Sequence, residues 1–278
     1  MMNQARVKAR LVKSALTKAR SNLFLAKPQH GAYFRLLEES DADMKGSMAW
    51  LKKCFIDAHT ESYICAAQEL AIFTRYHEKH ILKNGSDDRC RICKKDPETI
   101  FHLLGACDVL AKREYFTRHN DICRYLHYKI LEYYKMEVGK NWFMHNPPDV
   151  VIDKDVEIIY DQVIMTTRPI GANRPDIIIK DRNQKKAIII DVACPVDTNV
   201  GKKETEKISK YGGLRVELER MWGINAEVVP VIVGGLGAVT KNFNNCLAKI
   251  PGMPDPHMCQ KIGLLGSKRI LADVLKRR

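Results

Sequence analysis

Two isoleucine triplets, residues 177–179 and 188–190, constrain this chain more than anything else in it. Asp176 stands just before the first and Asp191 just after the second. Short β-branched runs between turn signals form buried strands. Residues 181–186 between them are polar and turn-like. Paired as a hairpin, the first strand starts at Asp176 and the second ends near Asp191, so both carboxylates fall at the same end of the sheet.

The surrounding pattern extends this into an α/β layer. Further β-branched runs occur at 156–160 and 228–233. Between the second triplet and the last run, residues 203–222 carry Ile208, Tyr211, Leu214, Leu218 and Met221 at helical spacing, which gives a strand, helix, strand order. Gly234-Gly235-Leu236-Gly237 follows the last strand. It lacks the Lys and Ser or Thr of a phosphate loop, so it reads as a tight turn. A closing helix is expected over 264–275. Upstream, helical patterns cover 60–81 and 115–135, and Asn146-Pro147-Pro148-Asp149 breaks regular structure. The division expected is a basic, mostly helical segment over 1–59, a helical region over 60–145, and an α/β domain over 146–278.

Two acids at one end of an apolar sheet are costly unless they hold a cation, and their hard oxygens suit Mg2+ or Mn2+. Such an ion activates water and stabilises charge on a phosphate. The plainer reading is that Asp176 sits in a turn after a proline and Asp191 ends a strand, both ordinary places for aspartate. A positive group would complete the site, and Lys203, Lys207 and Lys210 share one face of the following helix, with Tyr211 a turn beyond Lys207.

A second cluster is local. Cys90, Cys93, His102 and Cys107 run as Cys, two residues, Cys, eight residues, His, four residues, Cys. Three thiolates and one imidazole make a closed tetrahedral Zn2+ set, structural rather than catalytic because no position stays open. The alternative is ordinary reduced cysteines beside a surface histidine. In the 60–81 helix, His77-Glu78-Lys79-His80 superficially looks like a zinc-protease helix, but its histidines are three apart, so that reading is rejected.

The 278 residues carry a formal charge of +13, which favours a polyanionic partner, nucleic acid before an acidic membrane. No apolar run approaches the roughly 20 residues that span a bilayer, so no membrane partner is expected. Residues 1–27 hold seven Lys or Arg and no acid. That segment reads as a nucleic-acid-contacting helix, a mitochondrial presequence or a solvated basic helix. Nine cysteines, an odd number, with no secretory signal pattern point to a reducing compartment.

The residues also carry a family resemblance. Arg174-Pro175-Asp176, then Ile188-Ile189-Ile190-Asp191-Val192-Ala193-Cys194-Pro195, then Lys203-Glu204 and Lys210-Tyr211, then Val229-Pro230-Val231-Ile232-Val233-Gly234, with the Cys90 to Cys107 knuckle upstream, resemble one known region. It is the C-terminal region, zinc knuckle plus restriction-like endonuclease, of site-specific non-LTR retrotransposon reverse transcriptase proteins. The resemblance implies a PD-(D/E)xK nuclease core and Mg2+-dependent nicking of target DNA in the nucleus. It implies Asp176 and Asp191 as the paired acids and, since Ala193 stands where that motif usually has its lysine, a lysine displaced to the next helix. Lys207 is the first choice and Lys210 the second, with Tyr211 assisting. Zn2+ would sit in the knuckle, with DNA and possibly element RNA as partners. Such proteins carry a reverse transcriptase before the knuckle, so the chain is expected to be the C-terminal portion of an element. The rival expectation is a zinc-dependent nucleic-acid-binding protein with an inactive nuclease fold.

Overall fold

The computed structural model describes residues 4–27, 30–85 and 87–277. Met1 to Asn3 of the basic segment and Arg278 lie outside the described residues. Helix α1 (Gln4–Leu25) is exposed along nearly all its length. It is followed by α2 (Ala32–Glu38), the short turns α3 (Met44–Ser47) and α4 (Trp50–Lys53), α5 (Ala58–Gln68) and α6 (Arg75–His80). The one helix expected over 60–81 is therefore two. Leu70 takes a left-handed conformation at φ 56°, and Thr74 restarts the helix as an N-cap, its hydroxyl accepting from the His77 N–H at 3.2 Å. Apolar spacing continues through such a break, so periodicity alone does not reveal it.

After α7 (Asp108–Leu110), the long helix α8 (Phe116–Tyr133) leads to the sheet, which consists of β1 (Val150–Asp153), β2 (Val156–Tyr160), β3 (Ile177–Asp181), β4 (Lys186–Ala193) and β5 (Asn225–Ile232). The strands lie in sequence order, the first four antiparallel and β5 parallel to β4. The fold is mixed α/β with a five-stranded mixed sheet. Strand β1 was not expected from the sequence: Val150-Val151-Ile152 is a β-branched run, but it is short, follows directly on the Asn146 to Asp149 break, and is largely exposed at the sheet edge. The crossover from β4 to β5 is also divided, into α9 (Val200–Lys210) and α10 (Gly212–Trp222), with the break at Tyr211 before Gly212-Gly213. The remaining helices are α11 (Phe243–Ala248) and α12 (Pro256–Leu275). The last begins eight residues before the expected start, with Asp255 as N-cap and a proline in its first turn.

The isoleucine hairpin forms in the expected register, with Ile177 opposite Ile190 and Ile179 opposite Ile188. Side chains alternate between sheet faces. Ile177, Ile179, Ile188 and Ile190 pack into the main core with Ile122, Leu126 and Ile130 of α8. Ile178 and Ile189 pack on the opposite face, against Tyr211, Leu214 and Leu218. All six are buried, each contributing about 1.5–3 kcal/mol relative to exposure. Asp191 has the parity of Ile189 and so faces the α9–α10 crossover, which decides which lysine can meet it.

The glycine turn after β5 wraps an anion, and that anion is the chain's own Asp197. Its carboxylate accepts from the N–H groups of Leu236 at 2.8 Å and Ala238 at 2.9 Å, and from the Tyr33 hydroxyl of α2 at 2.9 Å. A Cβ on Gly234 would lie 2.6 Å from an Asp197 oxygen, so only glycine fits there. The turn is thereby a latch that ties α2 to the sheet.

Candidate metal centre and carboxylate site

The knuckle assembles over a few turns of chain. Cys90 opens a tight loop in which the Lys94 N–H donates to the Cys90 carbonyl at 2.9 Å and Lys94 itself is left-handed at φ 62°. The π-helical turn His102–Ala106 then presents His102 inward, and Cys107 closes the set. The ligand atoms of Cys90, Cys93, His102 and Cys107 all lie within 4.8 Å of one another, with Cys93 Sγ 3.3 Å from His102 Nε2. Cys90 and Cys107 are fully buried and His102 nearly so. This cluster could bind a metal such as zinc. His102 Nδ1 faces the Asp96 carboxylate at 3.8 Å, on the side away from the thiols. The separation is longer than a hydrogen bond, so this carboxylate places negative charge beside the ring without holding its tautomer. Burial pushes the Cys90 thiol up to about 11, so an ion must displace its proton to bind.

Charge around the knuckle is largely paired. Arg91 closes on the fully buried Glu98 at 2.7 Å, and Glu98 also accepts the N–H groups of Arg91 and Arg75. Burial raises the Glu98 carboxyl, but these donors outweigh it and hold it below the usual range. Lys95 pairs with Asp108 at 2.5 Å. The knuckle core also includes Ala193, Val200, Ile232 and Leu236, so it packs directly on the end of the sheet where Asp191 lies.

The carboxylate site is drawn from four elements. Asp176 immediately precedes β3 and Asp191 lies in β4 one pair beyond Ile177–Ile190, so the hairpin brings the two acids together. Asp176 accepts the Val192 N–H at 2.6 Å and faces His119 Nε2 of α8 at 3.1 Å. From the crossover, the Lys207 ammonium pairs with Asp191 Oδ2, although that buried oxygen accepts no hydrogen bond of normal geometry. The Tyr211 hydroxyl also faces Asp191, donates to the Arg174 carbonyl at 2.9 Å and receives a hydrogen bond from Lys210 Nζ at 2.9 Å. Lys207 therefore meets the acid directly, whereas Lys210 reaches it only through Tyr211. Lys203 pairs with Glu206 instead, at 2.7 Å.

The electrostatics are unbalanced. Burial, then the Asp176 charge, raise the Asp191 carboxyl above the ordinary aspartate value, and Lys207 does not fully offset them. Burial opposes charge on His119, but Asp176 overrides it and raises the imidazole. An open cleft of about 310 Å³ borders the site, lined by Phe116, His119, Ala193, Cys194 and Lys207. A larger cavity of about 570 Å³ lies away from the acids, beside the knuckle and lined in part by Glu69, Tyr76 and Phe101.

His119 and Cys123 were not singled out from the sequence. The signal was present as a histidine and a cysteine four apart on a helix, which places them on one face. Nothing local pointed that face at Asp176. No family model matches this chain, and no curated protein matches it.

Proposed function

We propose that the protein is a metal-dependent DNA endonuclease that nicks target DNA, built on a restriction-endonuclease-like PD-(D/E)xK core from the C-terminal part of a non-LTR retrotransposon. One observation carries the reading: Asp176 and Asp191 meet at one end of the isoleucine hairpin, with the Lys207 ammonium against Asp191 and a cleft alongside. Two adjacent carboxylates, one of them buried and pushed toward its neutral form by the other, suit a divalent cation, which would share Asp191 Oδ2 with Lys207. Asp176 and Asp191 would hold Mg2+ or Mn2+, which when bound supplies Lewis acidity toward a phosphate and an activated water. Lys207 orients Asp191 and adds positive charge where a phosphate enters, Tyr211 fixes the neighbouring backbone at Arg174, and Lys210 supports Tyr211. The net charge of +13 and the exposed basic helix α1 suit the DNA backbone, and element RNA would present the same phosphates. The nucleus is the compartment this reading requires.

A second reading has its own support. Asp176 is already engaged by the Val192 N–H and His119, and Asp191 by Lys207, so the protein's own groups partly satisfy both acids. That suits a zinc-dependent nucleic-acid binder with an inactive nuclease fold. A plasmid-nicking assay with Mg2+ or Mn2+ separates the two. The nuclease reading expects nicked circles from the wild type and none from Asp176→Ala, with salt-sensitive DNA binding retained by both. Binding without cleavage in either metal would establish the second reading.

A further inference from the structure

We infer that His119, Cys123 and Asp176 form a second metal site, open on one side, that takes a divalent ion of the zinc class. It rests on the nuclease reading only in sharing Asp176.

The ligand atoms of the three residues lie within 4.8 Å of one another. His119 Nε2 is 3.1 Å from Asp176 Oδ2 and 3.9 Å from Cys123 Sγ. Metal bonds of about 2.0–2.1 Å to nitrogen and oxygen and about 2.3 Å to sulfur imply tetrahedral edges of roughly 3.4 Å for N to O and roughly 3.6 Å for N to S. The N to O separation is already within a few tenths of an ångström of its edge, whereas Cys123 Sγ lies nearly equidistant from the two ring nitrogens, 3.7 Å from Nδ1 and 3.9 Å from Nε2, so admitting an ion requires the thiol to turn toward the Nε2 side of the ring.

The surroundings are arranged for ligation. His119 and Cys123 are one helical turn apart on α8, so the helix fixes two of the three ligands. His119 Nδ1 meets Asn120 Oδ1 at 2.9 Å, and donating there leaves the Nε2 lone pair directed at Asp176. Nε2 and the Asp176 carboxylate oxygen thus face each other across a position that either a proton or a metal ion can fill. Cys123 is fully buried, and among the described residues the polar contacts of its thiol are long, 3.7 and 3.9 Å, both to the His119 ring. Binding replaces the thiol S–H bond with a metal–sulfur bond and releases one proton to solvent.

The donor chemistry selects the ion. A nitrogen, a thiolate and one carboxylate favour zinc over magnesium, which prefers oxygen ligands throughout. Three protein ligands leave a fourth position, as in catalytic zinc sites. His119 and Lys207 line the same cleft, so an anion entering there meets both the lysine and the ion.

The test is elemental analysis of full-length protein saturated with Zn2+ and dialysed extensively into metal-free buffer. Two zinc ions per chain are expected for the wild type, one at each cluster, and one for His119→Ala or Cys123→Ser. Adding Co2+ to zinc-loaded His119→Ala protein fixes the background for the second measurement. Against it, wild type that keeps its knuckle zinc but has had the open site emptied by a mild chelator acquires on adding Co2+ visible absorption with a sulfur-to-metal charge-transfer band, and Cys123→Ser loses that band. Circular dichroism checks that each variant folds; His119 is partly exposed, so His119→Ala carries the test should Cys123→Ser fail to fold. One zinc per chain in the wild type, or two in folded His119→Ala, would overturn the inference and leave a simple His119–Asp176 ion pair beside a buried thiol. Nicking plays no part in this readout, so its loss or retention bears on the nuclease reading alone.

Discussion

The knuckle and the carboxylate site adjoin in space but are built in opposite ways. The knuckle takes all four ligands from residues 90–107, whereas the carboxylate site gathers Asp176, Asp191, Lys207 and His119 from the approach to β3, from β4, from α9 and from α8. Their electrostatics differ equally. Glu98, buried beside the knuckle, is matched by Arg91 and two backbone N–H groups and is held in its charged form. Asp191, equally buried, shares its surroundings with another acid and is pushed toward its neutral form. A closed site can satisfy every group it buries and so add stability. One that must admit a substrate keeps unmet charge, at a cost to stability.

The sharpest way to break this contrast is to remove the knuckle's metal. With zinc bound, Cys107→Ser or prolonged chelation should lower Tm by about 10 °C or more, several kcal/mol at roughly 2–4 °C per kcal/mol, as read by calorimetry. The shared packing with Ala193 and Val200 should carry the loss into the sheet. An unchanged Tm would mean that the knuckle is an appendage.

Asp191→Asn tests the other side. Nicking should fall by at least about 10²-fold while Tm rises by about 2 °C, because a neutral side chain suits that burial better than a carboxylate. A fall in Tm would show that the Lys207 pair outweighs desolvation. Lys207→Met should lower the nicking rate by roughly 10²-fold and Lys210→Met by roughly 10-fold or less, since only Lys207 touches the acid. Equal losses would make Tyr211, which Lys210 supports, as important as the direct pair.

The smallest effect is in pH. Glu98 is held below 4.5, so its contribution is fully present above pH 4.5 and is lost as pH falls through its folded value. Asp191 is raised above 3.8, so its penalty is fully present above its folded value and is relieved as pH falls toward 3.8. Glu98→Gln should therefore lower Tm at pH 7, and Asp191→Asn should raise it. The two differences from wild type should both shrink on acidification. Parallel changes of one sign would dissolve the contrast.

Parts of each site were legible in the sequence. The Cys and His spacing specified the knuckle cluster because a metal's ligands can be supplied by a loop and one helical turn. The hairpin and its register were legible because Ile177 to Ile179 and Ile188 to Ile190 bury on both faces and tolerate no slip. Strand β1 was hidden because its β-branched run of three, Val150 to Ile152, is short and abuts the Asn146 to Asp149 break, and the α9–α10 break because Tyr211 keeps the helical spacing across it. The pairing of Arg91 with Glu98 beside the knuckle was not legible, because the two meet only when the loop closes.

The sequence by itself determined the composition of the knuckle, the pairing of the isoleucine strands and the meeting of Asp176 with Asp191, since each follows from local spacing or strand parity. Tertiary structure alone decided which cation reaches Asp191, that His119 and Cys123 of α8 approach Asp176, and that Asp197 fills the glycine turn. Those contacts join residues up to 57 positions apart, as in His119 and Asp176, through the packing of helices on the two sheet faces. Helix period and strand parity fix which side of an element a residue occupies, but only packing fixes what it meets there.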